Sequence, residues 1–354
     1  MKFIYLLYLL KKTDFKLLFQ LIQHEKSISN NSGFSIVGRM ILSFIKYDTA
    51  FINYFAYEFE NKEFKEIKTY ANSWFMYKFQ RNMNNAKMIK FFKTKSLFYE
   101  KFKDFICHKY TILSKDAVPF NIWIEKNSPE YLICKTNKGQ SGDKIIKVKV
   151  SVSETGEYLL DGVKLESFHK KLLRKNLTLI EEVIEPHPVL KSIHPDSLNT
   201  LRIVTQVVNP YQVDVIAATM KAGINHSVVD NSGKGGVDCS IDINNGKLIG
   251  PLSAFDPRKK ISLGDNHPTT NMPIVGITIP HWKEAINTVK KAALVIPSVK
   301  SVGWDVAITK DGAFLLEGNH NWSSLIQKAL GKGIKDILNS YRFPSQGKLK
   351  NQVQ

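Results

Sequence analysis

The stretch Ser301–Asn321, SVGWDVAITKDGAFLLEGNHN, decides the fold that we expect for this chain. One strand-like run begins at Val302, and a second extends from Ala313 to Glu317. Between them, Lys310-Asp311-Gly312 is typical of a tight turn. Because apolar residues flank the polar positions in both runs, the pattern predicts a β-hairpin of two buried strands.

Two acids and an amide meet on this hairpin. Folding at the turn places Asp305 opposite Glu317, since each lies about six residues from it, and Asn319 points the same way as Glu317. A buried carboxylate pair would hold a proton unless a cation lies between its members. Oxygen ligands alone favour Mg²⁺, which takes further ligands from water and nucleotide phosphates. The three residues are therefore candidate metal ligands, and an ordinary turn cap with a salt bridge is the alternative.

The composition is that of an enzyme-sized globular chain with anionic partners. Its 354 residues are 43% hydrophobic, enough for a sizeable core and two or three domains. The formal charge of +18 favours nucleotides, phosphorylated sugars, a membrane surface or nucleic acid as partners. Half of this surplus lies in Lys62–Lys115, which holds 13 basic and 4 acidic residues. This basic stretch is either a binding patch or a solvated helix face.

The cysteines and the first residues bear on the cellular compartment. Cys107, Cys134 and Cys239 are few, odd in number and widely separated, which argues against disulfides and a cysteine zinc site and favours a reducing cytoplasm. The apolar run Phe3–Leu10 is too short to span a bilayer, and no cleavage site follows it. It predicts either an amphipathic helix packed on the domain or peripheral membrane contact.

Along the chain, the spacing of Phe15, Leu18, Phe19 and Ile22 predicts a helical region that extends to about Asn85. The next segments alternate between helix and strand patterns. We expect a helix at Lys93–Tyr110 and strands at Tyr110–Leu113, Asn121–Ile124, Tyr131–Lys135 and Lys144–Val152.

The loop Thr136–Asp143, TNKGQSGD, lies between two of these strands. Its glycines, serine and amides offer backbone N–H groups to an anion. The loop contains neither of the familiar phosphate-binding motifs, G-x-x-x-x-G-K-[ST] or G-x-G-x-x-G. An ordinary flexible hairpin is the alternative.

The second half of the chain is richer in strands. We expect strands at Leu177–Ile184, Leu201–Val208 and Val213–Lys221, a long loop at Leu252–Pro280, and helices at His281–Val295 and Trp322–Ser340. A long irregular loop is usually functional or disordered. His267 and His281 lie near it and are either acceptor contacts or structural histidines.

Taken in order, these motifs resemble the ATP-grasp superfamily, and in particular its sugar-transfer-associated branch. The resemblance spans roughly Lys93–Gly331. Four motifs carry it in the family's order: SLNTLRIVT (Ser197–Thr205), DNSGKGG (Asp230–Gly236), HPTT (His267–Thr270), and the hairpin pair GWDVAIT with LLEGN (Gly303–Thr309, Leu315–Asn319).

The resemblance implies an α+β protein with the ATP-grasp fold, in which two α+β lobes with antiparallel sheets hold ATP between them. We expect a helical N-terminal region at residues 1–90, an N-terminal lobe at 91–180 and a catalytic C-terminal lobe at 181–345. The helical region carries no motif of its own.

The resemblance also implies where the nucleotide binds. Lys95 and Lys135 would contact the α- and β-phosphates, and Lys138, Gly139, Ser141 and Gly142 would cover them. The hinge strand that reads the adenine edge would contain Glu181, Glu182, Val183 and Ile184, with the Glu181 side chain accepting from the exocyclic amine. Glu185 or His187 would bind the ribose, although the spacing around Glu185-Pro186-His187-Pro188 differs from that of the superfamily.

Asp305, Glu317 and Asn319 match the metal-binding residues of the family, which implies one or two Mg²⁺ ions, with Mn²⁺ as a substitute. Arg202 and Lys221 resemble the cations that face the γ-phosphate and the acylphosphate. Lys221 stands where the branch often carries Arg, so the charge is kept and the bidentate fork is lost.

The resulting hypothesis is an ATP- and Mg²⁺-dependent carboxylate–amine or carboxylate–thiol ligase that acts through an acylphosphate. It would join a small-molecule acid to an amine or a sugar-linked acceptor in cell-surface polysaccharide biosynthesis or modification. We expect it in the cytoplasm, with at most peripheral membrane contact and no nucleic-acid partner. Two alternatives stay open: a small-molecule kinase with the same ATP site, and a non-catalytic interaction protein that binds through Lys62–Lys115.

Overall fold

The computed structural model describes residues 2–29, 31–139, 145–230, 233, 235–254, 256, 258 and 264–342. Its α-helices are α1 (Lys2–Lys12), α2 (Phe15–Ile28), α3 (Gly33–Tyr47), α4 (Phe51–Ala56), α5 (Phe64–Ile67), α6 (Ser73–Met83), α7 (Lys90–Lys93), α8 (Lys95–Lys101), α9 (Val118–Asn127), α10 (Leu165–Arg174), α11 (Pro188–Ile193), α12 (Trp282–Val295), α13 (Ile326–Leu330) and α14 (Lys335–Arg342). Single 3₁₀ turns lie at Phe59–Asn61 and Lys103–Phe105. Its strands are β1 (Tyr110–Ile112), β2 (Tyr131–Lys135), β3 (Ile145–Val152), β4 (Tyr158–Leu160), β5 (Val163–Lys164), β6 (Leu179–Glu182), β7 (Leu201–Asn209), β8 (Gln212–Ala222), β9 (Val237–Ile241), β10 (Leu248–Ala254), β11 (Ser301–Thr309) and β12 (Gly312–Asn319).

These strands form two six-stranded sheets. The first has the order β1-β6-β2-β3-β4-β5, and the second has the order β10-β9-β8-β7-β11-β12. The strand pairs described in both sheets are antiparallel. The expected α+β class with two antiparallel sheets is confirmed.

The predicted hairpin is confirmed as β11 and β12. Every residue of β11 is buried, as expected for a strand with neighbours on both sides. Asp305 pairs with Glu317, and the register shifts immediately afterwards, so that Val306 pairs with Leu315. A bulge of this kind bends a strand and re-aims nearby side chains. Here it lies directly beside the two acids.

The helical N-terminal region is also confirmed. Side chains cap its longer helices: the Asp14 carboxylate accepts a hydrogen bond from the Leu17 N–H, and the Ser32 hydroxyl accepts one from the Ser35 N–H. The buried faces of α1 to α4 form one cluster with Phe59, Ile67 and Tyr70. The domain boundaries stated above stay predictions.

One expected strand is wrong. Residues Asn121–Ile124 lie inside helix α9, whose Phe120 and Ile124 are four residues apart and both buried. Pro119 stands in the first turn, where its missing N–H has no cost. A short apolar run does not by itself distinguish a strand from a buried helix. Packing under the first sheet decides this case.

Two expected helices are interrupted. The segment Lys93–Tyr110 begins with the last residue of α7 and ends with the first residue of β1. Helix α8 and a 3₁₀ turn lie between them. Trp322–Ser340 contains two helices, because Gly331 ends α13 with a left-handed φ of 64°. The strand expected at Leu177–Ile184 ends at Glu182, so Val183 and Ile184 lie beyond it.

Aromatic residues before the first sheet pack directly on the second sheet. Phe92, Phe98 and Phe102 surround Trp304 of β11 with ring centroids 5.6 to 6.4 Å from its ring. This shared core holds the segment around α8 against the hairpin. None of the described helices combines the length and apolar character that a bilayer crossing requires.

Candidate active site

Described residues of both sheets line a single cavity of about 640 Å³. From the side of the first sheet it receives Lys95, Lys135, Lys138 and Gly139, and from the second sheet Arg202, Lys221, Asp305, Glu317 and Asn319. These nine residues were all singled out from the sequence. Of the other predicted nucleotide-binding residues, Ser141 and Gly142 lie outside the described residues.

Four of the lining residues form a row across the second sheet. Glu317 on β12 is paired with Asp305 on β11, Asp305 with Arg202 on β7, and Arg202 with Thr219 on β8. Directly opposed residues of antiparallel strands project from the same face. Lys221 projects from this face too, since it lies two residues beyond Thr219. The sheet thus presents carboxylates and cations side by side to the cavity.

Asp305 is the centre of this row. Arg202 donates to it twice, from Nε to Oδ1 at 2.6 Å and from Nη2 to Oδ2 at 3.0 Å, and Lys221 Nζ lies 3.0 Å from Oδ1. Burial by itself raises the pKa of Asp305, but the charges of Arg202 and Lys221 outweigh burial and hold the pKa well below its usual range. The carboxylate is therefore ionised at neutral pH.

Glu317 and Asn319 complete the oxygen donors on this wall. Asn319 Nδ2 donates to Glu317 Oε1 at 3.0 Å, which orients both side chains. Two carboxylates and an amide oxygen fit a hard divalent cation that completes its shell with water and phosphate oxygens. A cation bound at Asp305 would share the carboxylate oxygens of this residue with Arg202 and Lys221. Within the described ranges, no group of three or more His, Cys, Asp or Glu side chains is arranged to hold a metal.

On the opposite wall, Lys135 belongs to a buried polar cluster. Its Nζ lies 2.8 Å from Glu181 Oε2 and donates to the Tyr99 hydroxyl at 3.2 Å. The Tyr99 hydroxyl in turn donates to Glu181 Oε1 at 2.6 Å. Burial, and then the adjacent Glu181 carboxylate, raise the pKa of Tyr99 well above its usual value. These contacts hold the lysine at the cavity wall.

Lys95 and the loop after β2 are joined to each other. Lys95 Nζ donates to the Gly139 carbonyl at 2.9 Å, and the Lys95 N–H donates to the Asn137 carbonyl at 2.9 Å. The Asn137 side chain bonds both the N–H and the hydroxyl of Ser96. Burial lowers the pKa of Lys95, an effect that Glu317 opposes and Lys135 reinforces. The start of α8 therefore holds the base of the glycine-containing loop beside two lysines.

The predicted adenine and ribose residues are not among the described residues that line this cavity. The Glu181 side chain contacts Lys135 of the wall and accepts a hydrogen bond from the Tyr99 hydroxyl. Glu182 Oε2 accepts from the Lys109 N–H at 3.2 Å. His187 caps α11 through Nδ1, and its N–H donates to the Ile308 carbonyl at 2.7 Å. The roles of Glu181 to Ile184 and of His187 stay predictions.

Two other histidines have different surroundings. His267 is fully buried, and its Nε2 lies 2.7 Å from the Gly223 carbonyl. Its ring is tilted by 43° relative to the His194 ring, with the centroids 5.3 Å apart. His281 precedes α12, and its Nδ1 lies 3.2 Å from Glu284 Oε2. Hydrogen bonds to backbone favour a structural role for His267.

Sequence reasoning missed several lining residues, among them Thr200, Asp230, Asp238, Trp322 and Ser323. Asp230 Oδ2 accepts from both the N–H and the hydroxyl of Thr200, at 2.7 and 2.6 Å. Thr200 belongs to the motif SLNTLRIVT and Asp230 to DNSGKGG. The sequence could have predicted these two lining residues if the two motifs had been expected to contact each other. Trp322 follows the second hairpin strand, and nothing local marks it as a lining residue.

The helical region supports this end of the cavity. Asn84 donates to the carbonyls of Ser301 and His320 and accepts from the Ser301 N–H at 2.9 Å. The Tyr57 hydroxyl donates to Ser324 Oγ at 2.7 Å. Leu325 both lines the cavity and packs on the cluster of the helical region. The segment after the hairpin is thus held between the helical region and the cavity.

Two antiparallel sheets around a cavity of lysines, arginine and carboxylates are typical of the ATP-grasp enzymes, a class of ATP-dependent ligases. The chain belongs to the family described as sugar-transfer associated ATP-grasp, whose model matches residues 75–342. A search of curated proteins finds no match.

Solved structures of ATP-grasp enzymes resemble the chain at low identity. An ADP complex of N5-carboxyaminoimidazole ribonucleotide synthetase has 13% identity and a TM-score of 0.41, covering 78% of this chain and 59% of its own. The ADP-bound synthetase from Staphylococcus aureus has 10% identity and a TM-score of 0.41, with 71% and 54% covered. VanG D-Ala:D-Ser ligase from Enterococcus faecalis has 11% identity and a TM-score of 0.41, with 71% and 60% covered. The chain thus spans less than two thirds of the length of each of these proteins.

Proposed function

We propose that the protein is an ATP- and Mg²⁺-dependent ligase that joins a carboxylate to an amine or a thiol through an acylphosphate. A carboxylate oxygen of the acid attacks the γ-phosphorus of ATP, and the bond to ADP breaks. The amine or thiol then attacks the acyl carbon, loses its proton, and phosphate leaves. The protein's task in both steps is to position the reactants and to stabilise the charge that develops.

The observation that carries this proposal is the row Glu317, Asp305 and Arg202, with Lys221 beside it, on one wall of the cavity opposite Lys95 and Lys135. Cations on both walls suit a triphosphate chain, and the carboxylates suit the metal that accompanies it. A bound divalent cation would supply charge neutralisation at the phosphates. Arg202, fixed by Asp305, would face the γ-phosphate and the acylphosphate together with Lys221.

The nucleotide assignments follow the same arrangement. Lys95 and Lys135 would contact the α- and β-phosphates, and the loop from Lys138 would cover them. The hinge at Glu181–Ile184 would read adenine, and His187 is the candidate for the ribose. The lobes would divide at 91–180 and 181–345, after the helical region at 1–90.

The family description supports a place in cell-surface polysaccharide biosynthesis or modification. The acid would then be a small molecule such as an amino acid or a sugar acid, and the acceptor an amine or a sugar-linked group. Because the proposed reaction consumes ATP, it would take place in the cytoplasm. Three unpaired cysteines, one of them exposed and two buried, agree with a reducing compartment.

The direct test traps the acyl intermediate. The purified chain is incubated with ATP, Mg²⁺, hydroxylamine and a panel of amino acids and sugar acids, and hydroxamate and ADP are measured. A ligase yields hydroxamate with at least one acid, whereas a kinase yields a phosphate ester and no hydroxamate.

Matched variants tie this activity to the cavity. Asp305→Asn and Glu317→Gln should abolish both hydroxamate formation and the Mg²⁺-dependent stabilisation by ATP against heat. Asp311→Asn makes the same chemical change in the turn of the same hairpin, away from the cavity wall, and should leave both intact. A native chain that ATP does not stabilise would favour the interaction-protein alternative.

A further inference from the structure

One side of helix α3 is apolar and exposed. Phe34, Ile41 and Ile45 are spaced by seven and four residues, which places them on one line along the helix. All three are exposed, Phe34 with 93% of its surface. The opposite face, with Ile36, Met40 and Phe44, is buried in the core of the helical region. A helix with apolar residues on both faces normally has a covering partner on each side.

Helices α1 and α2 repeat this arrangement. On α2, Phe15 and Phe19 are one helical turn apart and exposed, while Leu18 and Leu21 are buried. On α1, Leu7 and Leu10 are exposed, and Leu9 is buried. Monomeric soluble proteins seldom leave so many large apolar side chains of consecutive helices in water. We call the exposed apolar residues of α1 to α3 the outer face.

The charges around the outer face are mostly positive. Residues 1–47 contain seven Lys or Arg and two Asp or Glu. Of the two acids, Asp14 caps α2 and Glu25 is buried. Among the side chains that the structure describes, the exposed lysines of these helices are Lys11, Lys16, Lys26 and Lys46. A face that combines apolar residues with lysines is typical of helices that lie in the headgroup region of a membrane.

We infer that the outer face binds the surface of an anionic lipid bilayer, with its apolar side chains inserted between headgroups and its lysines paired with lipid phosphates. The charge pattern distinguishes this partner from a second copy of the chain. A twofold contact through the same face would bring lysines of both copies together, and like charges repel. An anionic surface attracts them, and the chain as a whole carries +18.

Membrane binding through this region would also hold the cavity at the bilayer. The helical region is attached to the cavity's edge through the Tyr57–Ser324 hydrogen bond and the packing of Leu325. The inference is independent of the reaction proposed above, because it rests on side chains of α1 to α3 that lie outside the cavity lining.

The test is sedimentation of the full chain with vesicles of phosphatidylcholine alone or phosphatidylcholine mixed with phosphatidylglycerol. We expect binding to the anionic vesicles only, and weaker binding as salt is raised. The triple variant Phe34→Ser, Ile41→Ser, Ile45→Ser should bind at least about tenfold more weakly, because the inserted apolar surface is lost. The variant Lys16→Glu, Lys26→Glu should weaken binding through charge alone.

The matched control is Tyr211→Ser. Tyr211 is 96% exposed in the turn between β7 and β8, so its replacement removes an exposed aromatic ring from another part of the surface. It should bind vesicles as the native chain does. Thermal unfolding followed by circular dichroism checks that every variant is folded.

Three results would overturn the inference: no binding of the native chain to anionic vesicles, undiminished binding of the triple variant, or equal loss in Tyr211→Ser. Light scattering adds a fourth. A native dimer that the triple variant converts to a monomer, with no vesicle binding, would assign the outer face to self-association.

Discussion

The Arg202 guanidinium donates two hydrogen bonds to the Asp305 carboxylate, from Nε to Oδ1 at 2.6 Å and from Nη2 to Oδ2 at 3.0 Å. The two residues are cross-strand partners in the middle of the second sheet. A bidentate pair holds a guanidinium in one orientation. The pair with Asp305 therefore fixes the orientation of the positively charged Arg202 group at the cavity wall.

The first prediction concerns this geometry. Arg202→Lys keeps the charge but removes the planar fork, so we expect ligase turnover to fall by about 10² to 10³-fold with the fold intact. Steady-state ADP release with the acid found by hydroxamate trapping measures it. Lys221→Arg is the conservative control and should retain most of the activity. Full activity in Arg202→Lys would contradict a role for the fork.

The second prediction concerns stability and pH. Asp305→Asn leaves the buried Arg202 without its anion and should cost about 3 kcal/mol of unfolding free energy at pH 7. The folded-state pKa of Asp305 lies below its unfolded value, so its contribution is fully present above about pH 4 and is lost as the pH falls further. The difference between native chain and variant should therefore be constant near neutrality and narrow in acid.

Urea unfolding at a series of pH values measures this difference. The double variant Arg202→Gln, Asp305→Asn completes a mutant cycle and should be less destabilised than the sum of the single variants. A difference that widens in acid would show that Asp305 is not held ionised by its neighbours.

The third prediction concerns the cluster around Lys135. Tyr99→Phe removes the hydroxyl that donates to Glu181 at 2.6 Å and accepts from Lys135 at 3.2 Å. We expect a loss of about 1 kcal/mol in stability and a several-fold higher KM for ATP, because the lysine loses a fixed neighbour. Tyr110→Phe is the matched control, since its ring lies 4.8 Å from the Tyr99 ring. An equal change in both variants would exclude a specific role for the Tyr99 hydroxyl.

The fourth prediction concerns the residue between Glu317 and Asn319. A Cβ at Gly318 would lie 2.8 Å from Phe92 Cδ1 and 3.1 Å from Phe98 Cε2. Gly318→Ala should therefore displace the strand and cost about 1 to 3 kcal/mol, with weaker Mg²⁺-ATP binding. Gly264→Ala is the control, because no atom of the described residues, apart from its chain neighbours, lies within 4 Å of its added Cβ. Thermal unfolding and ATP titration measure both effects, and a neutral Gly318→Ala would show that the rings can move aside.

Sequence patterns sufficed where the relevant contacts are local. The hairpin and the pairing of Asp305 with Glu317 follow from a turn signal and a side-chain period of two, both properties of neighbouring residues. The family resemblance then named the cations that line the cavity with them. The strand predicted at Asn121–Ile124 was wrong, because the same apolar residues suit a strand or a buried helix, and only packing distinguishes the two.

The amino-acid sequence by itself determined the class of fold, the acidic hairpin and the family. Only the tertiary structure decided that Arg202 and Lys221 share Asp305, that Tyr99 joins Lys135 to Glu181, and that the helical region supports the cavity's edge. The partners in these contacts are distant in sequence. No local pattern encodes such contacts, because they form only when whole strands and helices are brought together by the burial of their apolar faces.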